Sequence, residues 1–137
     1  MKNTQVKGDN GEKLALNFLK EYYFHKKCDE GNNLIKEVII QDKTKEFLGY
    51  DFLVNIKDFN NNGFNRYVEV KYRSDDKMYS LTSNERKFAE EHKLYYDLVI
   101  ISDKKIYYYE GFFEERKIPK TSHNFPKTLA TVTKDLY

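Results

Sequence analysis

Residues 66–73 read RYVEVKYR, in which two valines alternate with two charged side chains. Successive residues of a β-strand point to opposite faces of the sheet, so this alternation predicts a strand with one apolar and one charged face. Val68 and Val70 would face the core, while Glu69 and Lys71 would project from the other face, about 7 Å apart along the strand. Half-exposed strands often carry such charges for solubility, so the pair indicates either an exposed strand face or part of a site.

A second strand is predicted just before this one. The segment GYDFLVNI, residues 49–56, starts with Asp51 on one face. Its other face carries Phe52, Val54 and Ile56. Asn60–Gly63 then predicts a tight turn, because Asn and Gly tolerate the positive φ angles that hairpins require. Counting from this turn places Asp51 opposite Lys71, and a slip of one or two residues would leave it beside Glu69.

An amphipathic helix is predicted over residues 7–24. Its apolar stripe recurs at three and four residues through Leu14, Ala15, Phe18, Leu19 and Tyr22. Glu12 precedes Ala15 by three residues and Leu19 by seven, so it lies along the edge of that stripe. Two interpretations follow for Glu12: an ion pair with a nearby lysine at the solvent edge, or a carboxylate that serves the site of the hairpin.

The remaining elements complete the order αβββαββ in one α/β domain of residues 1–137, with a core over about 8–110. Thr82 with Glu85 three residues later forms a capping-box pattern that predicts the start of a second helix. Further strands are predicted over residues 34–40, 95–101 and 106–109. Beyond Glu114 the chain is polar and without clear periodicity, which predicts an extended arm or a short final helix over about 114–137.

Composition limits the function classes. The 137 residues are 16% aromatic and 34% charged, which is typical of a folded globular domain. The net charge of +2 permits a nucleic-acid partner without indicating one. Cys28 is the single cysteine, so an internal disulfide is excluded, and neither a signal peptide nor a membrane-spanning run is evident. We therefore expect a soluble cytoplasmic protein without a membrane partner.

The charged residues of the hairpin suit metal chemistry. Mg²⁺ typically binds one or two carboxylates and keeps its other positions for water and phosphate oxygens. Asp51 and Glu69 would supply such carboxylates, and a cation held there could assist phosphodiester hydrolysis. Lys71 could orient the attacking water, or help to deprotonate it if burial and the metal lower its pKa. Glu12 could reach the same cation through a water or hold Lys71 in place.

These residues also resemble a known family. Glu12 in GDNGEKLA, Asp51 in GYDFLV, and Glu69 with Lys71 in VEVK are similar to the motifs of the PD-(D/E)XK nuclease superfamily. More narrowly, GYDFLV, YVEVKYRS and YSLTSNERKFAEEH resemble the DUF3883 group, which is named for the C-terminal part of the plant protein NO VEIN and is related to Mrr-type restriction domains. The resemblance covers about Gly8 to Ser102. One departure is Tyr50, where many superfamily members have proline.

The resemblance implies a three-layer α/β/α, restriction-endonuclease-like core with a mixed sheet. It implies Mg²⁺ or Mn²⁺ bound by Asp51, Glu69 and the backbone carbonyl of Val70, with Lys71 assisting the water and Glu12 in support. The expected activity is an endonuclease acting on DNA, in restriction, mobile-element or repair chemistry, with RNA left open as a substrate. Cutting both strands would favour a homodimer, and target selection would fall to a recruiting protein.

Two alternatives stand beside the nuclease. The domain could be a catalytically weak or inactive nuclease-fold module that binds nucleic acid or protein. More plainly, Glu69 and Lys71 could form an exposed ion pair. The aromatic run IYYYEGFF, residues 106–113, could stack unpaired bases, but such a run is more typical of a core or a dimer interface. His25, His92 and His123 are widely spaced, so ordinary structural roles are expected for them.

Overall fold

The computed structural model describes residues 4–28, 35–73 and 78–136. Two α-helices occur in this part of the chain: α1 (Thr4–Cys28) and α2 (Ser83–Glu91). The longer strands are β1 (Ile35–Asp42), β2 (Phe52–Asp58), β3 (Gly63–Tyr72), β5 (Tyr96–Ile101) and β6 (Lys105–Tyr109). The short strands are β4 (Met78–Tyr79), β7 (His123–Asn124) and β8 (Val132–Asp135). Single 3₁₀ turns span Lys93–Tyr95 and Lys127–Leu129.

Six strands form one mixed sheet in the order β1-β2-β3-β5-β6-β8. Only β3 and β5 are parallel; the other neighbours are antiparallel. The parallel pair requires a crossover, which runs through β4 and α2. β4 pairs with β7 in a separate two-stranded sheet. The predicted α/β class and the order of the first elements are confirmed by this arrangement.

The predicted hairpin of β2 and β3 is confirmed, and its register is now defined. Phe52 pairs with Val68, so the position next to Asp51 belongs to Glu69 rather than to Lys71. This is the two-residue slip that a long turn permits. The turn contains Asn61 at a φ of 64°, the left-handed conformation that Asn tolerates.

The two faces of the sheet bury different clusters of side chains. On one face α1 packs against the sheet, and the cluster joins Ala15, Phe18, Leu19 and Tyr23 of α1 to Phe52, Val54, Ile56, Val68, Val99, Ile101, Ile106 and Tyr108. On the other face, Ala89 of α2 belongs to a cluster with Tyr79, Leu81, Tyr96, Leu98, Ile100, Tyr107, Tyr109, Phe112, Phe113 and Phe125. Because neighbouring residues alternate between faces, Glu69 and Lys71 lie on the α2 side.

The segment beyond Glu114 is neither an isolated arm nor a final helix. It supplies β7, one 3₁₀ turn and β8, and β8 adds to the edge of the main sheet beside β6. Val132 and Leu136 pack against the α1-side cluster, which explains why so polar a segment is held in place. The aromatic run of β6 is buried, with Tyr107, Tyr108 and Tyr109 each at most 9% exposed. The prediction that this run covers the core is confirmed, and burial prevents these rings from stacking on bases.

Across the described ranges, neither helix combines the length and the hydropathy needed to span a bilayer.

Candidate functional site

Asp51 is held at the entrance to β2 by backbone contacts. Its N–H donates to the carbonyl of Val68 at 2.8 Å, and its Oδ2 accepts the N–H of Val70 at 2.8 Å. The backbone reaches Asp51 through Gly49, whose φ of +99° favours glycine. The carbonyl of Gly49 accepts a hydrogen bond from the Tyr96 hydroxyl at 3.0 Å. A Cβ at Gly49 would lie 2.8 Å from the Cβ of Phe88 on α2. The local backbone therefore directs the Asp51 carboxyl towards β3.

Glu69 and Lys71 form a buried cluster on the α2 side of β3. The Nζ of Lys71 lies 3.2 Å from Oε2 of Glu69 and 2.6 Å from Oε1 of Glu85. The side chain of Glu69 is 3% exposed and that of Lys71 is 12% exposed. The interpretation of these two residues as an exposed ion pair is therefore wrong.

Glu85 is the member of this cluster that the sequence interpretation missed. It occupies the third position of α2, where Thr82 Oγ1 accepts its N–H at 3.2 Å and its Oε1 accepts the N–H of Thr82 at 2.9 Å. This is the predicted capping box. The same Oε1 also accepts a hydrogen bond from Lys71, because the crossover places the start of α2 over β3. The capping pattern marked Glu85 in the sequence, but only as a helix-start residue.

Burial controls the protonation of the acidic residues. Burial, reinforced by the charge of Glu85, raises the pKa of Asp51 to about 6 against the hydrogen bond from Val70. Burial and the neighbouring charge of Asp51 hold the pKa of Glu69 well above its ordinary value. Burial therefore favours the protonated form of Glu69, and Asp51 ionises just below neutrality.

Lys71 and Glu85 show the opposite behaviour. Burial would lower the pKa of Lys71, but the charge of Glu69 and the bond and charge of Glu85 outweigh it and raise that pKa. Burial would likewise raise the pKa of Glu85, yet hydrogen bonds from Glu69 and Lys71 outweigh it and lower that pKa. Lys71 and Glu85 are consequently a charged pair at neutral pH.

One oxygen of Glu69 indicates that the cluster has capacity for a further ligand. Oε1 of Glu69 is buried and has no hydrogen-bond partner among the described residues. Buried acceptors are rarely left in this state, and an unplaced ion or water is a common reason. Asp51, Glu69 and the carbonyl of Val70 offer hard oxygen donors of the kind that Mg²⁺ and Mn²⁺ prefer. The oxygen atoms of these three groups are therefore suitable ligands for a divalent cation. However, no group of three or more His, Cys, Asp or Glu side chains is arranged around a metal position in the described ranges.

Glu12 lies on α1, the helix that covers the opposite face of the sheet. The neighbouring Gly11 packs closely on Tyr72 at the end of β3, since a Cβ there would lie 2.9 Å from the Tyr72 ring. The turn of α1 that contains Gly11 and Glu12 is thus beside the end of the strand that carries Glu69 and Lys71. Glu12 is half-buried there, and its supporting role stays a prediction.

Over residues 4–28, 35–73 and 78–136 the fold defines a class of α/β protein in which two α-helices pack on a mixed sheet. A central strand of that sheet carries a buried cluster of acidic residues and a lysine. A family model described as protein NO VEIN, C-terminal, matches residues 11–108. The chain belongs to this family. The matched residues run from α1 into β6 and include Asp51, Glu69, Lys71 and Glu85. Comparison with curated proteins and with solved structures found no match.

Proposed function

We propose that the domain is an endonuclease that uses Mg²⁺ or Mn²⁺ to hydrolyse DNA phosphodiester bonds, in restriction, mobile-element or repair chemistry. The observation that carries this proposal is the convergence of Asp51, Glu69 and Lys71 in one buried cluster in which an oxygen of Glu69 has no partner among the described residues. A PD-(D/E)XK fold with three α/β/α layers is part of the proposal. The placement of α1 and α2 on opposite faces of a mixed sheet supports it.

Asp51, Glu69 and the backbone carbonyl of Val70 are the groups that would hold the cation. When bound, the cation would stabilise charge on the phosphate and lower the pKa of a water. Glu69 must be deprotonated to serve as a ligand, and its raised pKa opposes this deprotonation. Cation loading should therefore release protons and weaken as the pH falls.

Lys71 would act through its charge. Its raised pKa keeps the side chain as an ammonium, which supports orientation of the water and neutralisation of the phosphate rather than proton abstraction. In the reaction the water loses a proton to solvent and its oxygen bonds to phosphorus. The bond from phosphorus to one sugar oxygen breaks, and that oxygen leaves with the electron pair and takes up a proton to become a hydroxyl. Glu85 would position the ammonium through its contact of 2.6 Å, and Glu12 would support the site from α1.

A second candidate is a catalytically weak or inactive module that binds nucleic acid or protein. The observation that favours it is the closed ion pairing of the cluster, where both Glu69 and Glu85 contact Lys71. A lysine satisfied in this way has less freedom to engage a phosphate. This candidate predicts salt-dependent DNA binding without metal-dependent cleavage.

Cleavage of supercoiled plasmid with Mg²⁺ or Mn²⁺ tests the two candidates. We expect Glu69→Gln and Lys71→Met to lose on the order of 100-fold or more in rate, the usual effect of removing such a group. The matched variants Glu90→Gln and Lys57→Met change exposed residues and should cleave normally. Cleavage unchanged in Glu69→Gln and Lys71→Met would contradict the proposed site. DNA binding without cleavage by the unchanged protein would support the second candidate.

The plasmid products also report on assembly. A symmetric dimer would cut both strands and release linear plasmid, whereas a monomer would release nicked circles first. We propose a homodimer, with target choice supplied by a recruiting protein. Linear product from a protein that sediments as a monomer would contradict the dimer.

We propose the reducing cytoplasm as the location of the protein. The one cysteine, Cys28, is free and exposed, which suits that location.

A further inference from the structure

A cavity of about 500 Å³ lies beside the small sheet of β4 and β7. Tyr79 of β4 and Phe112, which follows β6, belong to its lining, and both side chains are buried. This volume is within the range of pockets that hold small organic ligands and is much larger than a phosphate ion requires. The cavity is separate from the cluster around Lys71 and is not used by the proposed chemistry.

Positive charge dominates the lining of this cavity. Arg116, Lys117 and Lys120 supply this charge, and no acidic side chain in the described ranges lines the cavity. The guanidinium of Arg116 is held in place, since its Nη1 donates to the carbonyl of Phe112 at 2.8 Å and its centre lies 4.7 Å from the Phe112 ring. Lys117 and Lys120 are exposed. The lining therefore favours an anion.

The walls between these charges are apolar. Pro119, Pro126 and Leu129 line the cavity, and the Leu129 side chain is 55% exposed. Beneath Phe112, the Tyr109 ring packs at 4.9 Å, and the buried Tyr109 hydroxyl has no hydrogen-bond partner among the residues that the structure describes. Apolar walls beside cations suit a ligand that joins a flat, partly apolar group to a phosphate. A nucleotide has this chemistry.

The cavity and the acidic cluster are linked by one short segment. Tyr79 lines the cavity and Glu85 contacts Lys71, six residues further along the chain. A segment of six residues spans at most about 22 Å when extended. The Cα atoms of Tyr79 and Glu85 are therefore no more than about 22 Å apart. A DNA strand that rises about 3.4 Å per nucleotide covers the distance in about six nucleotides or fewer.

We propose that this cavity binds an unpaired nucleotide of a DNA strand, with Lys117 and Lys120 on its phosphates and Leu129 against its base. The role of that strand as a substrate rests on the proposed nuclease function. A nucleotide held here would position a phosphodiester a few residues along the strand near Lys71. Its capture would favour substrates with a single-stranded segment.

Fluorescence anisotropy with labelled dT12 in EDTA tests this binding without cleavage. The double variant Lys117→Ala/Lys120→Ala should bind dT12 on the order of tenfold more weakly. It should also reduce the slope of log K against log salt by about 1.4, which corresponds to two lost phosphate contacts on a single strand. The matched double variant Lys36→Ala/Lys57→Ala changes exposed lysines near the β2–β3 turn and should bind as the unchanged protein does. Equal weakening in both double variants would overturn the proposal.

The base contact has its own test. Leu129→Ala should weaken binding of dT12 about fivefold and leave binding of an abasic 12-mer unchanged, because apolar contact with the base is the interaction removed. Equal effects on the two oligonucleotides would overturn the base contact. Competition by inorganic phosphate as strong as that by thymidine monophosphate would also overturn it and leave a plain anion site. The altered side chains are exposed, so thermal melting should confirm an intact fold in each variant.

Cleavage assays separate this proposal from the nuclease function. If the binding pattern holds and the unchanged protein does not cleave DNA with Mg²⁺ or Mn²⁺, the cavity proposal stands and the nuclease proposal fails. If the protein cleaves DNA and Lys117→Ala/Lys120→Ala binds and cleaves normally, the cavity proposal fails and the nuclease stands. If both are correct, the double variant should raise KM for single-stranded substrate and leave kcat unchanged.

Discussion

The Nζ of Lys71 lies 2.6 Å from Oε1 of Glu85, and that same oxygen accepts the backbone N–H of Thr82 at 2.9 Å. One carboxylate oxygen thus joins the charged face of β3 to the first turn of α2. Because the capping box already fixes the Glu85 side chain, the ammonium of Lys71 meets a preorganised partner. The start of the helix and the candidate site are therefore one structural unit.

Glu85→Gln should separate these two roles. Glutamine can retain the capping box but carries no charge, so the pKa of Lys71 should fall while α2 remains folded. Titration of Lys71 by NMR, with circular dichroism for the helix, measures both effects. Thr82→Ala is the control, since it should cost about 0.5–2 kcal/mol of stability and leave the lysine pKa nearly unchanged. An unchanged Lys71 pKa in Glu85→Gln would contradict the assigned pairing.

Asp51 should make the protein less stable as the pH rises. Its pKa is raised from 3.8 to about 6, so the folded state keeps a proton that the unfolded state has already released. The contribution of this proton to stability is complete below about pH 4 and is lost as the pH passes through 6. The total is about 3 kcal/mol, of which about half falls between pH 5 and pH 8.

Asp51→Asn should remove this part of the pH dependence, and its amide oxygen can still accept the Val70 N–H. Urea unfolding in EDTA at pH 5 and pH 8 measures the difference. The quantity to compare is the free energy of unfolding of the variant minus that of the unchanged protein. This difference should be about 1 kcal/mol more favourable to the variant at pH 8 than at pH 5. A stability difference that is the same at both pH values would show that Asp51 has an ordinary pKa.

A second buried ion pair should dominate stability. Asp97 is fully buried and accepts hydrogen bonds from Nε and Nη2 of Arg66, from the Tyr108 hydroxyl and from the Gly111 N–H, all at 2.6–2.7 Å. Asp97→Ala would leave the buried Arg66 charge with only its longer contact to Glu110 at 3.9 Å, and loss of a buried ion-pair partner typically costs about 3–5 kcal/mol. Tyr108→Phe removes hydroxyl contacts only and should cost about 1–3 kcal/mol.

Denaturant unfolding of these variants gives the ranking. Glu21→Gln is the control, because Glu21 pairs with Lys134 at the exposed surface and its loss should leave the unfolding midpoint unchanged. If Asp97→Ala proved no more destabilising than Tyr108→Phe, the Arg66–Asp97 ion pair would not make the dominant contribution to stability that we predict.

Deletion of residues 131–137 should destabilise the domain and promote self-association. It removes β8, uncovers the edge of β6 and takes Val132 and Leu136 from the core. An uncovered strand of buried aromatic residues is a template for intermolecular pairing. Light scattering and thermal melting measure both effects, with Thr133→Ala as a control at an exposed position of β8. A monomeric deletion protein with an unchanged melting temperature would show that β8 is dispensable.

The elements that local patterns control were predictable. The Asn-Gly turn and the alternation of β2 and β3 determined their antiparallel pairing, and the register was predicted to within two residues because core-facing side chains must stay inside. Thr82 and Glu85 determined the start of α2. The meeting of Asp51, Glu69 and Lys71 followed from the same hairpin, so most of the candidate site was available from the sequence.

The features that were missed depend on contacts between distant segments. β8 is a short polar strand, and only its fit beside β6 distinguishes it from a loop. The cavity beside β4 and β7 arises from the docking of a segment more than 30 residues after Tyr79. Glu85 reaches Lys71 because a crossover brings α2 over β3. The sequence alone determined the elements and the charged hairpin, since these follow from periodicity and turn chemistry within a few residues. Tertiary structure decided burial, protonation and the third carboxylate of the cluster, because these depend on which distant side chains exclude water from one another.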